Sequence, residues 1–493
     1  MVHNLSSPNL THLAPEIYTL IASCLLNLDI KNLRLTCKVL WKRSPLHQDR
    51  IFLSANPRNI EVALAVADHE TYRHKIVEII WDDSRFVHHI RRPSEDDLSL
   101  MESSTPPRKE GHPPPWFVRA CRQNIEGLRG VARVKDMQFS ESWDYYRTLL
   151  EQQEEVLRSG ADAEALKYVL GRFSSLRRIT ITPTAHGKLD KTLYNTPMIR
   201  SFPLGFNYPI PLSWPLSDAR AVPYRLPPWN DEVAREQWRG FSIVLRELAH
   251  QENHQVSTLV VDVKELETGI SCRIFDEPCE EYDNFVNLLR RPGFRHIDLT
   301  LLADGQFDVD NWSSFRSSYL RESISQAQDL RYVNIGIKAD YDQIHSNIER
   351  HCIPLQSIFP IDQWPKLRHF GLSGFIVKGL DLLSLLSALP ETLRSVEFSF
   401  LRFAGERGNY HDLLIDIRQN LSWRDRVVGE RPRVIIHVPP SRTRVSPLRY
   451  RCVDTLTTSF LYEGTEIPFK HDAWGNYPRG GIERTQLGLC YTE

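Results

Sequence analysis

A six-residue pattern, apolar-x-x-apolar-x-apolar, recurs along this chain and restricts its possible folds more than any other feature. It reads LRRITI from Leu176, FRHIDL from Phe294, LRYVNI from Leu330, LRHFGL from Leu367 and LRSVEF from Leu393. Looser copies are IVEIIW from Ile76, VKDMQF from Val134 and VSTLVV from Val256, and RVIIHV over 433–438 predicts a last strand. Apolar and polar residues alternating over so few positions follow the period of a half-buried β-strand. The copies at 256, 294, 330 and 367 start 38, 36 and 37 residues apart, and the step to 393 is 26. Helical patterns fill the gaps: ADAEALKYVLGRF, EQWRGFSIVLRELAH, EYDNFVNLLRR, FRSSYLRESISQA and LDLLSLLSAL. Strands alternating with helices in this way imply parallel pairing through crossovers.

Steps of this length with this strand motif predict an α/β chain built as an irregular leucine-rich-repeat-like solenoid of parallel strands and helices, over 76–493. Two long intervals fit insertions. Residues 91–115 are charged and rich in Pro and Ser, a composition that reads as flexible. Residues 183–232 hold many prolines together with Phe202, Phe206, Tyr208, Trp214, Tyr224 and Trp229. So many aromatics can bury substantial area. The segment is read either as a partner-binding loop or as a lid packed over the edge of the solenoid.

The first fifty residues have a different period. Ile17, Leu20, Ile21, Cys24, Leu25 and Leu28 make one helical stripe, with Pro15 suited to the first helical position and Glu16 to the positive helix end. Asp29 can cap a second helix, in which Ile30, Leu33, Cys37, Leu40 and Trp41 form one stripe while Leu35 and Val39 point elsewhere. A short helix apolar on two sides needs two partners. The second is either the rest of this chain or another protein.

The string Leu13-x-Pro15-Glu16-Ile17, then Ile21, Leu25, Asp29, Leu33-Arg34-Leu35-Thr36-Cys37-Lys38 and Leu40-Trp41, resembles the F-box. The continuation at Leu53–Arg58 and Glu78–Asp83 looks like fungal F-box proteins with irregular leucine-rich repeats. At Ala14 the sequence departs from the family, which usually carries Leu-Pro-x-Glu. The resemblance implies a helical module, residues 1–50, that binds the Skp-type adaptor of a ubiquitin ligase and, through it, cullin. Leu13, Pro15, Glu16, Ile17, Ile21, Leu25, Leu33, Leu35, Cys37, Leu40 and Trp41 would then be the adaptor-binding set. Residues 51–75 are expected to form a helical linker, with the solenoid following as a target-binding domain.

No Walker A run, G-x-G-x-x-G, H-E-x-x-H or G-x-S-x-G is present, so no catalytic motif, cofactor or metal is assigned. His88-His89 lacks a third ligand nearby. The acidic run FDEPCEEYD over 275–283 reads as a helix start or an acidic surface. The stretch from Arg424 to Arg451, with eight arginines, reads as a phosphate or acidic-motif binder or as a solvated edge. Lys plus Arg total 61 against 62 for Asp plus Glu, a balance that argues against nucleic acid or an anionic membrane. Eight scattered cysteines without a C-x-x-C pair fit reduced thiols, and hence cytoplasm or nucleus. No apolar run is long enough to span a bilayer.

Candidate target contacts are the strand residues facing away from the core: Arg178, Thr180, His296, Asp298, Tyr332, Asn334, His369, Ser395 and Glu397. Phe206, Tyr208 and Trp214 of the aromatic insertion join them. Three functions follow. The first is a non-catalytic substrate receptor of a cullin-based ubiquitin ligase, capturing a protein target. The second is a scaffold that holds the adaptor outside any ligase. The third is an enzyme with a dispersed site around residues such as His296 and Asp298.

Overall fold

The computed structural model describes residues 10–485 except 26, 89–111, 128–135, 190, 212, 217–225, 265, 307–310, 340–347, 406–407, 439–448 and 470–481. Its largest element is one twelve-stranded, mostly parallel sheet. In chain order the strands are β1 (Arg50–Ser54), β2 (Glu78–Asp82), β3 (Arg178–Thr182), β4 (Thr258–Val261), β5 (Ile270–Ser271), β6 (His296–Leu302) and β7 (Tyr332–Lys338). There follow β8 (His369–Ser373), β9 (Ile376–Lys378), β10 (Ser395–Ser399), β11 (Arg402–Ala404), β12 (Arg433–Val438), β13 (Arg449–Cys452) and β14 (Ile482–Thr485). The sheet runs β1-β2-β3-β4-β6-β7-β8-β10-β12-β13-β14, with β5 alongside β6, while β9 and β11 pair separately. Pairing is parallel as far as β12, and β13 and β14 add antiparallel.

Each of the five strong copies of the six-residue pattern does the same two jobs. Its first residue is buried, as at Leu176, Phe294, Leu330, Leu367 and Leu393. The backbone carbonyl of the Arg after it begins the next ladder. Arg295 O accepts from the N–H groups of Arg331 and Tyr332 at 2.8 and 3.0 Å, and Arg331 O accepts from Arg368 and His369 at 2.8 and 2.9 Å. Arg177 and Arg368 repeat this arrangement with the strands that follow them. The arginines therefore share a main-chain position, which the sequence pattern alone did not explain.

Alternation then separates two faces. Ile51, Ile79, Ile179, Leu259, Ile297, Val333, Phe370, Val396 and Val434 stand side by side across nine strands, all buried. Helices close over that row: Ala161–Leu170, Arg239–His250, Glu280–Leu289, Gly379–Ser387 and Tyr410–Asn420 supply Leu166, Val244, Leu288, Leu385 and Leu414 to one continuous core.

Several expectations change. Residues 51–75 are no helical linker: β1 pairs in register with β2, and α4 (Pro57–Asp68), capped by the Asn56 side chain, packs on β1. VKDMQF makes no strand where it is described, because Asp136–Gln138 is irregular and Phe139 opens the helix Phe139–Ser159. The expected insertion 91–115 lies almost wholly outside the described residues. The acidic run is a helix start, with Cys279 as cap and Glu280, Glu281 and Asp283 in the first turn, where the helix dipole favours negative charge.

The aromatic insertion is held inward. Trp214 Nε1 donates to Asp83 Oδ2 at 2.7 Å, and Trp229 Nε1 donates to Glu281 Oε2 at 2.9 Å. Asp83 also accepts from the Gly240 N–H at 3.2 Å, at the start of the helix Arg239–His250. A Cβ at Gly240 would collide with Trp81 Nε1 and the Asp83 carboxylate. Gly240→Ala is therefore expected to destabilise the fold by about 1–3 kcal/mol, the usual cost of overpacking a filled core. A urea-unfolding midpoint equal to that of the parent would show instead that the helix shifts freely.

Candidate functional site

Two surfaces remain unsatisfied by the fold, and they differ in chemistry. The first is the N-terminal module. Helix α1 (Pro15–Ser23) starts with proline at its first position and lacks a side-chain cap at Ala14. Helices α2 (Asn27–Thr36) and α3 (Lys38–Arg43) are interrupted at Cys37, whose backbone is extended. Asp29 falls in the first turn of α2 and does not cap it, because the helix starts two residues earlier. The break also divides the stripe expected to run from Ile30 to Trp41.

The module has a small core of its own, made by Tyr18, Ala22 and Leu40 with Leu13 and Leu33 against it. Arg43 lies 4.5 Å from the Tyr18 ring centre and donates to Thr11 O and Leu13 O at 2.9 and 2.8 Å. Tyr18 and Ser44 hydroxyls bond to each other. Leu13, Leu33 and Leu40, expected as adaptor contacts, therefore hold the module together from inside. Leu25 is half-buried, and Pro15, Glu16 and Cys37 are exposed.

Other apolar side chains of the module face solvent. Ile17 is 50% exposed, Leu20 65%, Leu35 85% and Trp41 54%, and Leu10, Ile21 and Val39 are exposed with them. Leu20, Val39 and Leu10 enlarge the expected set. Only the periodicity around Tyr18 and Ala22 could have shown that α1 buries the opposite face.

The second surface is the open face of the sheet. The strand registers align two rows there. The first runs Arg50, Glu78, Arg178, Thr258, His296, Tyr332, His369 and Ser395. The second runs Phe52, Ile80, Thr180, Val260, Asp298, Asn334, Gly371 and Glu397. At the β1–β3 end the insertion covers this face, with Ala185, Leu193 and Tyr194 packed on Ile80 and Phe52. Arg178 Nε is 3.1 Å from Glu78 Oε1, and Thr180 Oγ1 donates to the same carboxylate at 2.6 Å. Thr180 is fully buried and so is corrected from a contact to a structural residue.

From β6 to β12 the face is polar and half-buried. His296, Tyr332 and His369 form a parallel ring stack, with centroids 3.9 and 4.0 Å apart and planes within 10° and 6°. His369 Nδ1 is 2.7 Å from Ser395 Oγ. Asn334 Nδ2 donates to Asp298 Oδ1 at 3.1 Å. Glu397 meets His437 at 3.2 Å and accepts from Ser399 at 3.0 Å. Sequence reading identified the strand of His437 but not its partner, because that pairing depends on the β10–β12 register.

Burial pushes His296 and His369 down to about 3 and about 4, so both rings are neutral near pH 7. Burial opposes the charge on His437, yet hydrogen bonds to Cys452 and Glu397 raise it to about 9. Glu397 in turn stays below its ordinary value despite burial, held there by His437. Asp298 is raised to about 7 by burial and then by the Glu397 and Asp262 carboxylates.

Phe206, Tyr208 and Trp214 are corrected as well. All three are buried, the first two in an aromatic cluster with Phe86, Phe117 and Tyr146 and the third in the main core, so the insertion acts as a lid. His88 pairs with Glu154 on the surface, and His89 lies outside the described residues. Among the described residues no three His, Cys, Asp or Glu side chains come together as metal ligands, and no helix is long and apolar enough to cross a membrane. Cys24 and Cys37 are exposed thiols, and Cys121, Cys272 and Cys452 are buried ones. In the arginine-rich stretch, Arg433 pairs with Asp454 and Arg426 donates to Glu391 O, while 439–448 lies outside the described residues. No protein-family model and no curated protein matches this chain.

Asp298 also links this face to pH. Its folded value lies above that of a free carboxylate, so the folded protein holds the proton more tightly than the unfolded chain does. Its stabilising contribution is full below about pH 4 and is lost as pH rises through about 7. Asp298→Asn is expected to remove that loss, so the difference in Tm between variant and parent should grow from pH 5 to pH 8 in favour of the variant. Parallel Tm curves across that range would count against it.

Proposed function

We propose that this chain is a non-catalytic receptor subunit of a cullin-based ubiquitin ligase, with residues 10–50 as an F-box docking on a Skp-type adaptor. One observation carries the reading. Among the described residues, seven of the sixteen exposed large apolar side chains fall between Leu10 and Trp41, on a module that already has its own core. Exposed apolar area of this density is a docking surface or an aggregation liability. The motif Leu13-x-Pro15-Glu16-Ile17 to Leu40-Trp41 gives the surface an occupant, and an adaptor offering a complementary apolar groove would bury Ile17, Leu20, Ile21, Leu35, Val39 and Trp41.

On this reading the remainder of the chain is a leucine-rich-repeat-like target-binding domain, and its open sheet face meets the target. Ubiquitin transfer belongs to other subunits. The receptor acts by proximity, raising the effective concentration of a target lysine near the charged conjugating enzyme.

The experiment mixes the purified full chain with a recombinant Skp-type adaptor, alone and with its cullin partner. Binding of both is expected. Leu20→Asp with Leu35→Asp should abolish adaptor binding while shifting stability by less than about 1 kcal/mol, because both side chains are largely solvated. Adaptor binding without cullin would replace the ligase by a scaffold, and no adaptor binding at all would overturn the F-box reading.

A further inference from the structure

We infer that the open face over β6, β7, β8 and β10 recognises the side chain of an arginine presented by a protein target. The receptor reading is needed only to make that partner a target; the chemistry of the face stands apart from it. The groups that meet there are acceptors. Asp298 offers a carboxylate whose partner on the neighbouring strand is the neutral Asn334 amide. The Asn334 side chain lies over Gly371, and its Oδ1 is the atom a Cβ at Gly371 would strike first. Beyond Gly371 stands Glu397 in the same row. Asn334 and Glu397 are thus two strands apart, roughly 9–10 Å, with no side chain on the strand between them.

His369 supplies the independent observation. It is only 8% exposed, its side chain is on the open face, and its Nδ1 is committed to Ser395. Its Nε2, the ring nitrogen farther from the backbone, is buried and has no hydrogen-bond partner among the described residues. A buried polar atom left in that state is costly; in the tautomer whose Nδ1–H donates to Ser395 Oγ, Nε2 is an acceptor, and a donor from a bound guest removes the cost.

The neighbouring cations are already engaged. His437 is spent on Glu397, Arg178 on Glu78, and Lys264 on Asp262 at 2.8 Å. Burial, and after it the field of the Glu397 and Asp262 carboxylates, keeps the proton on Asp298. A cationic guest would release that proton and complete the site. Arginine fits better than lysine: its planar fork presents five donors to several spaced acceptors.

The test is an array of nonapeptide pools, degenerate at every position but the centre, which is fixed as arginine, lysine or the neutral isostere citrulline. The full chain is applied at pH 7.5. Arginine pools should retain at least tenfold more protein than citrulline pools. Asp298→Asn, which keeps the side-chain shape, should reduce that ratio towards one, and Glu397→Gln should do the same. Equal retention on arginine and citrulline pools, stronger retention on lysine pools, or an arginine preference surviving in both variants would overturn the inference. The Leu20→Asp, Leu35→Asp protein should keep the preference. Failure of adaptor binding and failure of arginine recognition are thus read separately.

Discussion

One row of side chains governs the rest of the structure. From Ile51 to Val434, nine consecutive neighbours in the sheet contribute an apolar residue to the same line, and each is buried under the crossover helices. Parallel strands cannot be joined by tight hairpins, so every rung requires a long connection, and that connection returns over the apolar face. Slipping any strand by one residue would reverse its faces, replacing the Ile297 row with the His296 row in the core. The core therefore sets the register. The carbonyls at the second position of the six-residue motif fix where the next strand begins, and alternation decides what reaches the open face.

The polar chemistry of that face follows from the register. His296, Tyr332 and His369 are far apart in sequence, yet they stack because their strands start level with one another. The pairing of Asp298 with Asn334 and the closeness of Glu397 to His437 arise in the same way. None of these contacts is local, and each inherits its geometry from the buried row one residue away. The same half-buried setting keeps two histidines neutral, leaves a third charged and holds a proton on Asp298.

The strong strand copies were legible in sequence because their alternation is a local property. Leu176, Phe294, Leu330, Leu367 and Leu393 each open a strand two residues later, and the weaker copies at 76 and 256 do the same. VKDMQF failed because apolar spacing over six residues does not separate a strand from the start of a helix, and Phe139 belongs to the helix. β1 was missed because Arg-Ile-Phe-Leu-Ser lacks the flanking leucine of the other copies and follows directly on the first module. The open-face residues were legible as a set but not as a site. His296, Asp298, Tyr332, Asn334, His369 and Glu397 come together, whereas Thr180, Phe206, Tyr208 and Trp214 are withdrawn into packing. Which aromatic insertion becomes a lid depends on tertiary partners such as Asp83, which lies 131 residues from Trp214.

The chain's two unsatisfied surfaces differ in a way that bears on how it is used. The module at residues 10–50 exposes aliphatic and indole surface, which gains free energy from any matching apolar groove and discriminates little by charge. The open sheet face carries half-buried carboxylates, an amide oxygen and a buried imidazole nitrogen, groups that favour a guest with donors placed opposite them. An apolar plug suits a partner that is constant. A half-buried set of acceptors suits a choice among partners, because a guest lacking the right donors leaves several buried groups unpaired. The two chemistries are kept apart by separate cores, the Tyr18–Leu40 cluster for one and the nine-strand row for the other. Substitutions on the module therefore need not disturb the register of the sheet, and changes on the open face need not alter the module.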